Sequence, residues 1–260
     1  MEWAYTLVPK NKPKLDDPVL IEGLPGIGNV GKIAVDYIIE KTQAQKLYTI
    51  YSHHIPHSVF VTEDNLVEMP RIEIYYKKFR KKRDLLLLTG ETQPIDEPSC
   101  FSFCESILKN ISEYHCKEII TMGGIGLREL PKNPTTYITG TSKEFVKKYK
   151  TPKLSNDLYG KIGPIVGVSG VLVALSRMYK KQAISVLGET IAHPMYIDVR
   201  AAKEILTFIN DALGLDVNLK YLDGEIKEME TQLKAIEELE IIQQTQDTHQ
   251  PRKKNMSYIG

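Results

Sequence analysis

Two glycine-rich segments hold the residue types best spaced to do chemistry. Gly26-Ile27-Gly28-Asn29-Val30-Gly31 follows an apolar run and opens a helical pattern. Bare backbone at that spacing lets a pyrophosphate approach a helix N-terminus, as in dinucleotide sites. The same chemistry expects a carboxylate for the ribose at the end of the next strand, about twenty residues on. That strand ends Ile50-Tyr51-Ser52-His53-His54 without an acid, which argues against a nicotinamide cofactor. Two readings stay open: anion binding, or glycines that permit a tight turn and close packing of a helix on a sheet. Gly123-Gly124-Ile125-Gly126 is read in the same way. Gly26, Gly28, Gly31, Gly123 and Gly124 are thus a candidate anion or small-ligand site, expected in a crevice at the carboxyl edge of the sheet.

The other reactive side chains lack partners at useful spacing. His53, His54 and His57 cluster at a strand end, but adjacent strand residues point to opposite faces, so a surface loop beside Pro56 is expected rather than a metal site. Cys100 and Cys104 share a helical face and Cys116 ends the same segment, with no paired knuckle and no activating base in view. Burial as small apolar groups is the expected role of these thiols. Ser169, in Gly167-Val168-Ser169-Gly170, lacks the nucleophile-elbow spacing and marks a helix start. No catalytic residue, metal or cofactor is expected.

The elements that must position these residues alternate along the chain. Residues 18–22 form a short strand before the first glycine loop, and Ile33, Ala34, Tyr37 and Ile38 recur at helical spacing after it. Residues 46–52 give a second strand, while 59–61 and 71–76 suggest an antiparallel insertion. Leu85-Leu86-Leu87-Leu88 is apolar on both faces, as in a central strand covered by helices on each side. A helix opening at Pro98, a strand over 117–122, a helix over 165–179, a strand over 183–187 and a helix over 201–213 closed by Gly214 continue the pattern. This order predicts a three-layer α/β sandwich with a mixed, mostly parallel sheet.

Bulk properties exclude several function classes. The 260 residues are 42% hydrophobic and 26% charged, ordinary values for a chain with a sizeable core. A formal charge of +1 is too small for a general polyanion-binding surface, so nucleic acid is not an expected partner. The dense basic run from Lys77 to Arg83 lies between two strand-like segments and is read as a solvated hairpin turn. No apolar stretch approaches the roughly 20 residues needed to cross a bilayer. With no signal-like N-terminus and three cysteines that cannot all pair, a reducing cytoplasm is expected.

The last forty or so residues change character. Leu222, Ile226, Met229, Leu233 and Ile236 follow alternating steps of four and three, a short coiled-coil-like seam that could join copies of the chain or pack on its own core. Residues 243–255 lack apolar side chains, and the chain then reads Met256-Ser257-Tyr258-Ile259-Gly260. The expected divisions are a core over 1–215, a helix over 216–243 and a flexible tail over 244–260.

Five segments in order carry a family resemblance: Glu22 to Gly31, Leu88-Thr89-Gly90-Glu91, Met122-Gly123-Gly124, Gly163-Pro164-Ile165-Val166-Gly167 and Leu187-Gly188-Glu189-Thr190. Together they resemble the proteasome assembly chaperone family, its archaeal members in particular. The resemblance implies a nucleoside-phosphorylase-like core without catalysis, homo-oligomers, and a C-terminal tail that docks between α-subunits of the proteasome core particle. Met256, Tyr258, Ile259 and Gly260 would be the docking residues. Tyr258 stands third from the end, whereas the family's tail motif places tyrosine next to last.

Overall fold

The computed structural model describes residues 3–160, 163–193 and 196–227. The seam residues Met229, Leu233 and Ile236 and the tail residues Met256, Tyr258, Ile259 and Gly260 lie outside the described residues. Contacts divide the chain into a unit Met1–Leu219 and a unit Lys220–Gly260. In the second unit, residues 221–227 are helical and include Leu222 and Ile226.

The first unit runs β1 (Ala4–Leu7), β2 (Val19–Glu22), α1 (Val30–Thr42), β3 (Gln45–Tyr51), β4 (Phe60–Val61), β5 (Val67–Glu68), β6 (Ile72–Lys77) and β7 (Leu85–Gly90). It continues with α2 (Glu97–Ser112), β8 (Glu118–Leu127), β9 (Thr136–Gly140), α3 (Lys143–Tyr149), β10 (Leu154–Ser155), α4 (Val168–Ser176), β11 (Gln182–Ile191) and α5 (Val199–Leu213). Among the described residues, nine strands form one sheet in the order β1-β3-β6-β7-β2-β8-β11-β9-β10. The three central pairings, β7 with β2, β2 with β8 and β8 with β11, are parallel. The flanks carry the antiparallel pairings, so the sheet is mixed, with four pairings of each kind.

Helices α2 and α4 pack together on one face of the sheet, and α1 and α5 on the other. Strands between two helical layers bury both of their faces, and every residue of β2 and β7 is buried. Helix α2 starts at Asp96, whose carboxylate accepts from Ser99 N (2.8 Å) while Ser99 Oγ accepts from Asp96 N (3.2 Å). Two otherwise orphaned donors are thereby satisfied, and Pro98 sits in the first turn where its missing N–H costs nothing. Helix α5 starts at Asp198, which accepts from Arg200 N and Ala201 N, and ends at Gly214 in the left-handed conformation (φ 59°).

The edge strand β1 brings the N-terminal region across to α2. The Trp3 ring lies 4.6 Å from that of Phe103, and its Nε1 donates to Ser102 Oγ at 2.8 Å. At the opposite end of the strands, the basic run is the turn between β6 and β7. Asp84 pins it, accepting from Phe79 N (2.8 Å) and Asp16 N (2.7 Å).

Some elements differ from the pattern expected. Val59 to Val61 does not join the main sheet; β4 pairs with β5 in a separate two-stranded sheet whose side chains are exposed. The helix expected over 165–179 is shortened to α4: Gly167 at its N-cap has φ 85°, and past Ser176 the chain continues in turns, with Met178 N donating to the Leu175 carbonyl and Tyr179 N to that of Ser176. The polar stretch between β8 and β11 contains β9, α3 and β10, which the sequence pattern passes over.

Candidate functional site

The two glycine segments meet at the carboxyl edge of the sheet, as expected. They line a cavity of about 720 Å³ together with Gln93, Pro94, the loop from Gly163 to Gly167, Ser169 and Leu187. Four of the five segments that carry the family resemblance therefore converge on one crevice.

Close packing explains much of the glycine content. A Cβ on Gly31 would overlap the Met122 carbonyl, and one on Gly124 would overlap the Ile27 carbonyl. The first glycine loop thus rests directly on β8, with each segment bare where the other approaches. Gly28 is needed on a second ground: its φ is +63°, and a Cβ there would lie 2.9 Å from Thr190 Oγ1. The loop is anchored where Gly28 O accepts from Asp198 N (2.9 Å), and Asp198 Oδ2 accepts from Thr190 Oγ1 (2.8 Å).

A buried carboxyl lies beside this crevice, one that the sequence pattern does not single out. Glu22 ends β2 with no exposed surface. Its Oε1 accepts from Leu24 N (3.0 Å) and its Oε2 from Ser169 Oγ (2.9 Å). Burial outweighs both bonds and pushes the carboxyl up from 4.5 to about 7. The sequence signals were an acid closing the otherwise apolar run Val19-Leu20-Ile21 and its place at the head of the segment Glu22 to Gly31. Ser169 lies in the first turn of α4, where its placement at a helix start was expected, and its own carbonyl accepts from Thr121 Oγ1 (3.1 Å). The pair is thus a hydroxyl donating to a carboxyl whose pKa burial has raised.

The remaining candidates stay apart from the crevice or serve the core. Cys100, Cys104 and Cys116 are buried and free. Burial pushes the Cys116 thiol up to about 11, and a hydrogen bond with Cys100 raises Cys104. His53 and His54 follow the end of β3; Tyr51 lies within 3.5 Å of His53 Nδ1, and the His54 carbonyl accepts from Ile95 N. Among the described residues, no three His, Cys, Asp or Glu side chains group as a metal would require. No helix among them is long and apolar enough to cross a membrane.

The basic turn is partly neutralised within the fold. Arg83 pairs with Asp17 and with Glu118 (2.6 Å), and Glu118 also holds Lys148 (2.6 Å) and Tyr149 Oη (2.7 Å). Lys82 pairs with Asp216.

Comparison with known proteins matches this architecture. The crystal structure of Pyrococcus furiosus PbaB, described as an archaeal proteasome activator, superposes with a TM-score of 0.84 at 32% identity, covering 91% of this chain and 99% of that one. Pyrococcus furiosus PbaA, described as an archaeal homolog of proteasome-assembly chaperone, gives a TM-score of 0.70 at 23% identity over 94% of this chain and 96% of its own, a likeness of fold. The Methanocaldococcus jannaschii protein MJ1210 is 30% identical over 254 residues, 96% of this chain and 95% of the relative. The PAC2 family profile matches residues 20–237, from the strand that ends in Glu22 through every segment lining the crevice. The chain belongs to the PAC2 family.

Proposed function

We propose that this chain is a non-enzymatic, cytoplasmic proteasome-binding factor that acts as a homo-oligomer and contacts α-subunits of the core particle through Met256, Tyr258, Ile259 and Gly260. The observation that carries this reading is the 32% identity to PbaB over nearly the whole of both chains. That relation favours regulation of the finished proteasome over a role in its assembly, since the likeness to PbaA at 23% identity is one of fold alone. A tail ending in aromatic and apolar side chains after a polar tether has the composition of a short docking motif. Several copies displayed on one oligomer would act on a symmetric ring at high effective concentration, so each tail need bind only weakly.

The test is a pull-down of proteasome α-subunits with the full chain and with a variant lacking Tyr258, Ile259 and Gly260. The expected outcome is capture by the full chain and its loss on truncation, with the far-ultraviolet circular dichroism unchanged. Equal capture by both proteins would rule out tail docking. Addition to assembled core particle then separates the roles: an activator raises peptide hydrolysis, whereas an assembly factor alters only the rate at which α-subunits associate.

A further inference from the structure

The crevice has one wall that the fold leaves without a neighbouring strand. β2 pairs with β8 only where Val19 to Glu22 face Glu118 to Thr121. β8 runs on from Met122 to Leu127, accompanied on its other side by β11 as far as Ile191. In parallel pairing, successive residues direct their N–H and C=O groups alternately to the two sides of the strand. Lys117 O accepts from Gln182 N (3.0 Å) and Leu127 O from Ala192 N (2.8 Å), so the odd-numbered residues of this segment address β11. Met122, Gly124 and Gly126 consequently address the side where β2 has already ended.

Gly31 covers the Met122 carbonyl. The backbone groups of Gly124 and Gly126 have no backbone partner among the described residues on that side. Both glycines line the 720 Å³ cavity, and so does the whole segment from Met122 to Leu127. Inside an α/β sheet, a strand edge of this kind is ordinarily occupied. Here it borders a crevice; Ile27, Thr190 and Ala192 pack against the face of Gly124 and Gly126, and the two glycines add no side chain of their own beside their lateral N–H and C=O groups.

The rest of the lining defines what could fill it. Among the described residues no ionisable side chain lines the cavity; its walls include Leu24, Ile27, Pro94, Ile165 and Leu187. A phosphate or other anion would meet no cation among these described residues. Across Gln93, Pro94 and the residues from Ile165 to Gly167, the cavity adjoins a second one of about 500 Å³. Ile95, Phe101 and Val166 in that extension are 53%, 50% and 83% exposed. The donors and acceptors of Gly124 and Gly126 recur two residues apart, about 6.6 Å along the strand, the repeat of another extended backbone. A single heterocycle would reach one of the two positions.

We propose that this crevice is a strand-addition site for a partner's extended, uncharged, apolar peptide segment. Its backbone pairs with Gly124 and Gly126 where β2 stops, and its side chains enter the pocket at Ile165 and the groove at Phe101. The site belongs to the core and does not depend on tail docking, so either reading can fail without the other.

The test uses the full chain, labelled with nitrogen-15, and a pooled library of acetylated, amidated pentapeptides randomised over Val, Ile, Leu, Phe and Thr. Recovered peptides are resynthesised with and without N-methyl groups on their backbone amides. The expected result is capture at millimolar total peptide, movement of the Gly124 and Gly126 amide resonances, and about tenfold or greater loss of affinity on N-methylation. Gly163→Phe should abolish binding, because Gly163 lines the cavity and a Cβ there meets no atom within 4 Å. Gly26→Leu, equally unhindered to 4.0 Å, is the second blocking variant should the first not fold. Absence of capture from the library overturns the proposal. So does binding that survives N-methylation, which would mean apolar filling of a small-molecule cavity. Retained binding in a folded blocking variant, or resonance changes that avoid Gly124 and Gly126, would equally overturn it.

Discussion

Glu22 holds its proton where an ordinary glutamate would not. Its carboxyl titrates near 7 in the folded chain and near 4.5 when unfolded. Between those values the native state keeps a proton that the unfolded state has released, so this group's contribution lowers stability as pH rises from about 4.5 to about 7 and is constant above. The full span amounts to on the order of 3 kcal/mol at about 1.4 kcal/mol per pH unit. Glu22→Gln removes the titration while keeping an oxygen able to accept from Leu24 N. Urea midpoints measured near pH 5 and near pH 8 should therefore differ less in the variant than in the parent. At the higher pH the variant should be the more stable of the two. Equal pH dependence in both proteins would mean that the carboxyl is solvated and ordinary.

At the scale of elements, the fold depends on the first glycine loop lying flat on β8. Gly124→Val forces branched carbon against the Ile27 carbonyl and should cost about 1–3 kcal/mol, visible as a lowered thermal midpoint. Gly163→Ala, on the open wall of the crevice, should stay within about 0.5 kcal/mol of the parent, and a comparable loss there would show that the loops rather than the interlock set stability. The first glycine segment was legible because a glycine run closing a strand has few other uses, whereas Gly123-Gly124-Ile125-Gly126, expected to end a strand at 122, lies within β8, which its pairing with β11 carries on to Leu127. The fully buried strands β2 and β7 were legible from apolar runs without alternation. The elements from β9 to β10 were not, since tertiary partners hold them: β9 pairs antiparallel with β11, and α3 is held by Lys148 and Tyr149 on Glu118. Burial of Glu22 was equally hidden, because the sequence shows an acid but not the α4 turn that encloses it. The detached β4–β5 hairpin escaped notice because alternation reports exposure of one face and not which sheet a strand joins.

For the whole molecule, subunit number is the property that the seam would set. Leu222 and Ile226 lie in the helical residues 221–227, and Met229, Leu233 and Ile236 continue their spacing. About two to three heptads are marginal for an isolated helix and gain stability when paired. If copies of the chain join through this seam, light scattering should give a multiple of 29.5 kDa for the full chain and a single subunit for a chain ending at Gly214. The same number of subunits in both would place the oligomer contact in the core. Trp3, the one tryptophan in the sequence, gives such experiments an optical handle. Its indole is 8% exposed and held against Ser102 and Phe103, about a hundred positions away along the chain. Intrinsic fluorescence therefore reports whether the first strand is seated on the second helix, and a change in emission that precedes loss of helical dichroism would time the peeling of that edge without any added label.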